Sequence, residues 1–135
     1  MTAAALLNTV RAHGLRVSGA RRAVLESLLA AERPLTAEEI AGDGDVASVY
    51  RNLETLESIG LVRHVHLGHG PGRYVLRARS GGWATCDGCG RSTLLAPEAL
   101  RRIRAVVLDA AGYDAGFGHF PIVGTCADCT TGARP

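Results

Sequence analysis

Two short pairs, Cys86-Asp-Gly-Cys89 and Cys126-Ala-Asp-Cys129, contain all four cysteines of this 135-residue chain and are separated by 36 residues. Each C-x-x-C knuckle presents two thiolates to one side of a small, soft, redox-inert ion. Together they suit a closed tetrahedral zinc site, and the metal is expected to be structural. A disulfide framework competes, but the chain begins with no apolar signal segment, so the expected compartment is the reducing cytoplasm. Thioredoxin-like redox chemistry also competes, yet two matched pairs fit a clasp better than a single dithiol does.

At 135 residues there is room for one ordinary domain or two small ones, and a metal staple is expected on the smaller. No apolar run approaches the roughly 18 residues of a membrane span, so no membrane partner is expected. The net charge of +2 is unremarkable, but every one of the 15 basic residues is Arg and they are segregated. Arg11, Arg16, Arg21 and Arg22 lie in an acid-free opening block, and Arg63, Arg73, Arg77 and Arg79 in a second one. Two such blocks can frame a phosphate-facing surface, though charge blocks often serve only as solvated faces.

The apolar spacing predicts a helix over 3–13 ended by Gly14, then a second from Ser18 to about Ala31 with Val24, Leu25, Leu28 and Leu29 on one stripe. Ser18 is its cap, and Arg21 and Arg22 in the first turn make sense beside a phosphate. Thr36-Ala-Glu-Glu39 is a capping box that opens a short third helix. A fourth, about Val46 to Ile59, turns Val46, Val49, Leu53 and Leu56 to a core and leaves Ser48, Tyr50, Arg51 and Thr55 outward, a set suited to reading a major groove. Leu61 to Leu67 and Arg73 to Arg77 alternate around a glycine-rich turn and read as a hairpin. Three helices followed by a ribbon make a winged helix-turn-helix over 1–77, with Arg16, Arg73 and Arg77 expected along backbone phosphates.

Residues 78–82 read as a hinge, and 83–135 as a small α/β unit: strands at Trp83 to Cys86, near Ser92 to Leu95 and from about Phe117 to Gly124, with a helix opened by Pro97. The fold class is thus α+β. Too few apolar positions are available for the second unit to stand alone, so a homodimer on a palindromic duplex is expected.

These residues resemble the ferric-uptake-regulator family of bacterial metal-dependent repressors. The matching stretches are Gly14-Leu-Arg-Val-Ser-Gly-Ala-Arg21, Ser48-Val-Tyr-Arg-Asn-Leu-Glu54, Gly60-Leu-Val, Cys86-Asp-Gly-Cys89-Gly and Gly124-Thr-Cys-Ala-Asp-Cys129, in the family's order. The resemblance implies a dimeric winged-helix repressor of double-stranded DNA, with Tyr50 and Arg51 as the reading pair and the four cysteines as the zinc clasp. Family members usually carry a histidine-rich run before the first C-x-x-C. Here Arg79-Ser-Gly-Gly-Trp83 stands there, and Arg33 stands where many members place a ligand histidine, so the usual sensing site is expected to be absent. The connection between the third and fourth helices is also several residues shorter than the family's.

A different histidine set remains. His64 and His66 alternate on one strand and so share a face, His69 lies in the following turn, and His119 precedes the second knuckle. They resemble the inter-domain site of the family's nickel-responsive branch, which implies a regulatory Ni2+ or Zn2+ ion there, with His69 a possible further ligand. Such an ion would tie the wing to the dimer core. A lone histidine in a basic wing is otherwise a surface or phosphate-contacting residue, and His13 simply suits a helix end. Two rival functions are a regulator that has lost its metal sensor and a small metallohydrolase; against the latter, residues 58–86 hold no carboxylate to act as a local base, so no enzyme is expected.

Overall fold

A computed structural model describes residues 1–68, 70–79 and 81–132. The chain divides into two compact units, residues 1–64 with 72–80 and residues 65–71 with 81–135. Among the described residues, no helix is long and apolar enough to cross a membrane.

The first unit carries helices α1 (Ala3–Ala12), α2 (Gly19–Ala30), α3 (Ala37–Ala41) and α4 (Val46–Ser58), then strands β1 (Val62–Val65), whose last residue groups with the second unit, and β2 (Arg73–Leu76), paired in a two-stranded sheet. Each helix start is fixed by its own side chain. Thr2 accepts from the Ala5 amide, Ser18 from Arg21, Thr36 from Glu39 and Asp45 from Ala47, and the Glu39 carboxylate closes the capping box on the Thr36 amide. α1 ends where Gly14 turns to a φ of 74°, which costs glycine nothing. Leu35 exchanges two backbone hydrogen bonds with Tyr74, at 3.0 and 2.7 Å, so the segment before α3 borders the wing.

Leu6, Leu7, Val10, Val24, Leu25, Leu28, Ala37, Leu53, Leu56, Val62 and Leu76 form one buried cluster to which each helix and strand of the unit contributes. Fully burying a leucine is worth about 1.5–3 kcal/mol, so this cluster gives the helix-turn-helix a core of its own. The expected stripe on α4 differs at one position: Val46 is exposed, and Asn52 is buried instead. On a helix of 3.6 residues per turn both flank the Val49–Leu53–Leu56 stripe by about 60°, so periodicity does not choose between them. Tertiary pairing does, because Asn52 meets the guanidinium of Arg21.

The second unit holds β3 (Gly82–Cys86), β4 (Ser92–Leu95), α5 (Pro97–Ala111), β5 (Ile122–Gly124) and α6 (Ala127–Thr131). The sheet order is β4-β3-β5, with β3 antiparallel to β4 and parallel to β5. One sequence expectation is corrected. The last strand begins at Ile122 rather than Phe117, since Pro121 has no amide to give a ladder. The second cysteine knuckle opens a short helix, α6. Arg77–Arg79 form a 3-10 turn, and Gly82 begins β3 with the Leu100 side chain packed where a Cβ would stand, 2.5 Å away. Residues 65–71 also group with the second unit and not with the rest of the wing. The His66 amide donates to the His119 carbonyl at 2.9 Å, which joins this segment to the approach to β5.

The second unit's interior is thin. Trp83, Thr85, Cys86 and Leu100 are buried, while Leu94, Val106, Leu108, Tyr113, Phe120 and Val123 are exposed.

Candidate metal sites and nucleic-acid interface

Parallel pairing of β3 with β5 sets Cys86 opposite Gly124, so the two strands end side by side and deliver both knuckles to one place. One sulfur from each of Cys86, Cys89, Cys126 and Cys129 lies within 4.8 Å of the others. The Cys89 and Cys126 sulfurs are 3.8 Å apart. A disulfide needs about 2.05 Å, whereas a tetrahedron with metal–sulfur bonds of about 2.3 Å has an edge of about 3.8 Å. None of the four cysteines is in a disulfide, and their spacing would suit the ligands of one ion.

The surroundings fit zinc. The amides of Gly88, Cys89 and Cys126 donate to the Cys86 sulfur at 3.3, 3.5 and 3.2 Å, and those of Cys126 and Cys89 contribute most to lowering its pKa to about 6. Next to it, the sulfur of Cys126 pushes the Cys129 thiol up to about 12. Four adjacent thiolates repel one another, and a dication is what allows all of them to ionise. Gly88 leaves room for this, because a Cβ there would meet the Cys129 sulfur at 3.2 Å. The knuckles are tied by the Asp87 amide donating to the Gly124 carbonyl, by Thr125 Oγ1 donating to Asp87, and by the Arg91–Asp128 ion pair.

The histidines fall in both units. Within the second, the His66 and His119 rings are 4.7 Å apart at 74°, and Phe120 stacks on His66 at 5.6 Å. Within the first, His64 lies beside Tyr74 and is bonded to Glu57, whose Oε2 accepts from its backbone amide at 3.0 Å and faces its Nδ1. His69 lies outside the described residues. His13 is exposed at the end of α1 with Nδ1 against the Thr9 carbonyl, a helix-end role. Glu57 and Phe120 were not foreseen as neighbours of these histidines; no local spacing joins a residue at the end of α4 to a strand seven residues later.

The residues expected to meet DNA divide in two. Arg16, Arg22, Tyr50 and Arg51 are exposed, with the Tyr50 hydroxyl donating to Glu38 at 3.3 Å. Others are already engaged. Arg21 donates through Nε to Asn52 and through Nη1 to the Arg16 carbonyl, Arg73 pairs with Glu39 at 3.0 Å, and the Ser18 hydroxyl caps α2. Ser48 is half-buried, and its carbonyl accepts from Asn52.

Two arginines stand where the sequence departs from the resemblance. Arg33 and Arg73 both grip Glu39, and the Arg33 bond, followed by the Thr36 amide, lowers the Glu39 carboxyl to about 2. Arg79 donates to the carbonyls of Leu29 and Ala31, at 2.6 and 3.1 Å, at the C-terminal end of α2, where a cation is favoured.

Residues 17–65 match a helix-turn-helix domain family. The chain is 27% identical over 131 residues to the peroxide operon regulator of Bacillus subtilis, covering 92% of this chain and 90% of that one. It is 25% identical over 130 residues to the peroxide-responsive repressor PerR of Staphylococcus saprophyticus, covering 91% and 88%. Among solved structures it resembles the Helicobacter pylori ferric uptake regulator Fur, with a TM-score of 0.74 at 23% identity over 96% of this chain and 95% of that one. A zinc-bound manganese uptake regulator has the same two-domain fold, with a TM-score of 0.66 at 16% identity over 90% and 98%. The proteins so named are regulators.

Proposed function

We propose that this chain, a Fur/PerR-family metalloregulator on the support of its relatives and structural neighbours, represses transcription by binding palindromic operator DNA as a cytoplasmic homodimer. It is not an enzyme. The cysteine clasp holds a structural zinc, and an exchangeable Ni2+ or Zn2+ ion is taken by His64, His66 and His119. The observation that carries the sensor reading is the His66–His119 pair at 4.7 Å, with His64 two residues earlier in β1, which ends at Val65 so that His66 lies just beyond the strand. His64 belongs to the first unit and the other two to the second. An ion held by all three would restrict the motion of one unit against the other and favour a single spacing of the two reading helices.

The clasp supplies folding free energy, and the imidazoles supply exchangeable nitrogen ligands suited to nickel, zinc, copper or cobalt alike. α4 would then enter the major groove with Tyr50, Arg51 and Ser48 toward the bases, while Arg16, Ser18, Arg21, Arg22 and Arg73 follow phosphates. The exposed Leu94, Val106, Leu108 and Val123 supply an apolar surface for a second copy.

The test is to titrate Ni2+ or Zn2+ into the zinc-clasped protein and measure affinity for a palindromic duplex selected from a random library. Metal-strengthened binding in wild type that is lost in His66→Ala supports the sensor. Binding indifferent to metal overturns it and favours a second reading, a regulator with structural zinc only. That reading draws support from Arg33 and Arg79, whose guanidiniums are fixed to Glu39 and to the end of α2 without any ion.

A further inference from the structure

We propose that Glu57 is the positioning residue of the histidine ion site and the contact through which that site acts on the reading helix. The inference rests on the sensor reading above. Its geometry lies wholly within the first unit.

Glu57 sits in the last turn of α4, and its Oε2 accepts the His64 backbone amide at 3.0 Å while facing the same residue's Nδ1 within hydrogen-bond reach. A neutral imidazole has one N–H and one lone pair, so a carboxylate accepting at Nδ1 assigns the proton there and turns the lone pair to Nε2. Nε2 is then the ligand atom. The amide bond fixes the backbone of His64 against the carboxylate, and the side-chain bond opposes rotation about χ1, so the two together hold the ring in place. Carboxylates placed behind ligating imidazoles raise their basicity and hold their angle.

The same carboxylate belongs to the helix that carries Tyr50 and Arg51. Seven residues, or two turns, separate Tyr50 from Glu57, so both project from one face of α4. An ion held at Nε2 would make the Nδ1–H a stronger donor to Glu57 and so tie the C-terminal end of α4, and with it the helix that carries Tyr50 and Arg51, to the occupancy of the site.

The experiment compares wild type, Glu57→Ala, Glu57→Gln and His64→Ala, each with its cysteine clasp loaded with zinc. Uptake of Ni2+ is measured by competition with a chelating dye, and the His64 tautomer in the nickel-free protein by long-range proton–nitrogen NMR. Glu57→Ala is expected to weaken nickel uptake about 10–100-fold and to remove the Nδ1–H signal of His64. Glu57→Gln keeps an acceptor oxygen without the charge and should fall between. Zinc stoichiometry and far-UV circular dichroism report folding, and should Glu57→Ala not fold, Glu57→Gln decides alone. Wild-type nickel affinity in a folded Glu57 variant overturns the inference, and if His64→Ala abolishes uptake in the same series the sensor reading survives it. A wild-type protein that takes up no nickel beyond the clasp overturns both.

Discussion

Arg21 donates through Nε to Oδ1 of Asn52 at 3.1 Å, joining the first turn of α2 to the middle of α4. Its Nη1 donates to the Arg16 carbonyl at 2.7 Å, so one guanidinium braces both α4 and the turn before α2. Asn52 is buried and uses its amide nitrogen on the Ser48 carbonyl, which leaves Arg21 as the partner of its oxygen. An arginine that looked from sequence like a phosphate contact is therefore also part of the fold.

Arg21→Ala should strand the Asn52 carbonyl in the interior and cost about 1–3 kcal/mol of stability. Arg22→Ala, one residue on and exposed, should cost less than about 0.5 kcal/mol. Denaturant midpoints of the two variants check this. Equal midpoints would mean that the Arg21–Asn52 bond contributes nothing in solution.

Glu39 ties stability to acid. Its carboxyl is lowered from 4.5 to about 2, first by Arg33 and then by the Thr36 amide. A depressed carboxyl stabilises the fold fully above its unfolded value and loses that contribution as pH falls toward the folded one. The stability gap between wild type and Glu39→Gln should therefore be widest above pH 4.5 and close as pH approaches 2. Chemical denaturation of both proteins across that interval, with matched zinc content, measures the gap. A gap that stays constant with pH would show that the carboxylate's charge is not the source.

Chelation should separate the two units. The first has its own apolar cluster, whereas the second has few buried side chains and a four-sulfur site. Stripping zinc, or substituting Cys86→Ser, should unfold the second unit and retain most of the helical signal of α1 to α4. Trp83, the single tryptophan, is buried in β3 and reports the loss by fluorescence, while far-UV circular dichroism follows the helices. Simultaneous loss of both signals would mean that the first unit does not stand without the second.

What was legible in the sequence depended on how local its cause was. The capping box at Thr36 and Glu39, the stop at Gly14 and the cysteine knuckles are short-range chemistry, and each stands in the fold as its spacing implies. Val46 and Asn52 could not be ranked, because both flank the same stripe and a residue 31 positions away decides between them. The strand expected from Phe117 shortened at Pro121, a local signal that the apolar run outweighed. The pairing of Glu57 with His64, and of His66 with His119, depends on tertiary closure and leaves no mark in periodicity.

Arg51 is the sharpest test of the reading face. It is exposed on α4, one residue after Tyr50 and one before the buried Asn52, so its side chain is directed outward while its neighbour anchors the helix. A guanidinium so placed can pair with both acceptors of a guanine edge, an interaction worth about 1–3 kcal/mol of discrimination. Arg51→Ala should relax base preference at one position in each half-site by that amount, with little change in how affinity falls with salt. Arg22→Ala should do the reverse, weakening all sequences alike and lowering the salt slope by about one for each phosphate that is no longer neutralised. Selection of duplexes from a random library, together with salt titrations of both variants, distinguishes the two. Because Asn52 and Leu53 hold α4 from behind, Arg51→Ala should leave stability unchanged, and a loss of specificity accompanied by a lower denaturant midpoint would mean that Arg51 supports the helix and does not read bases.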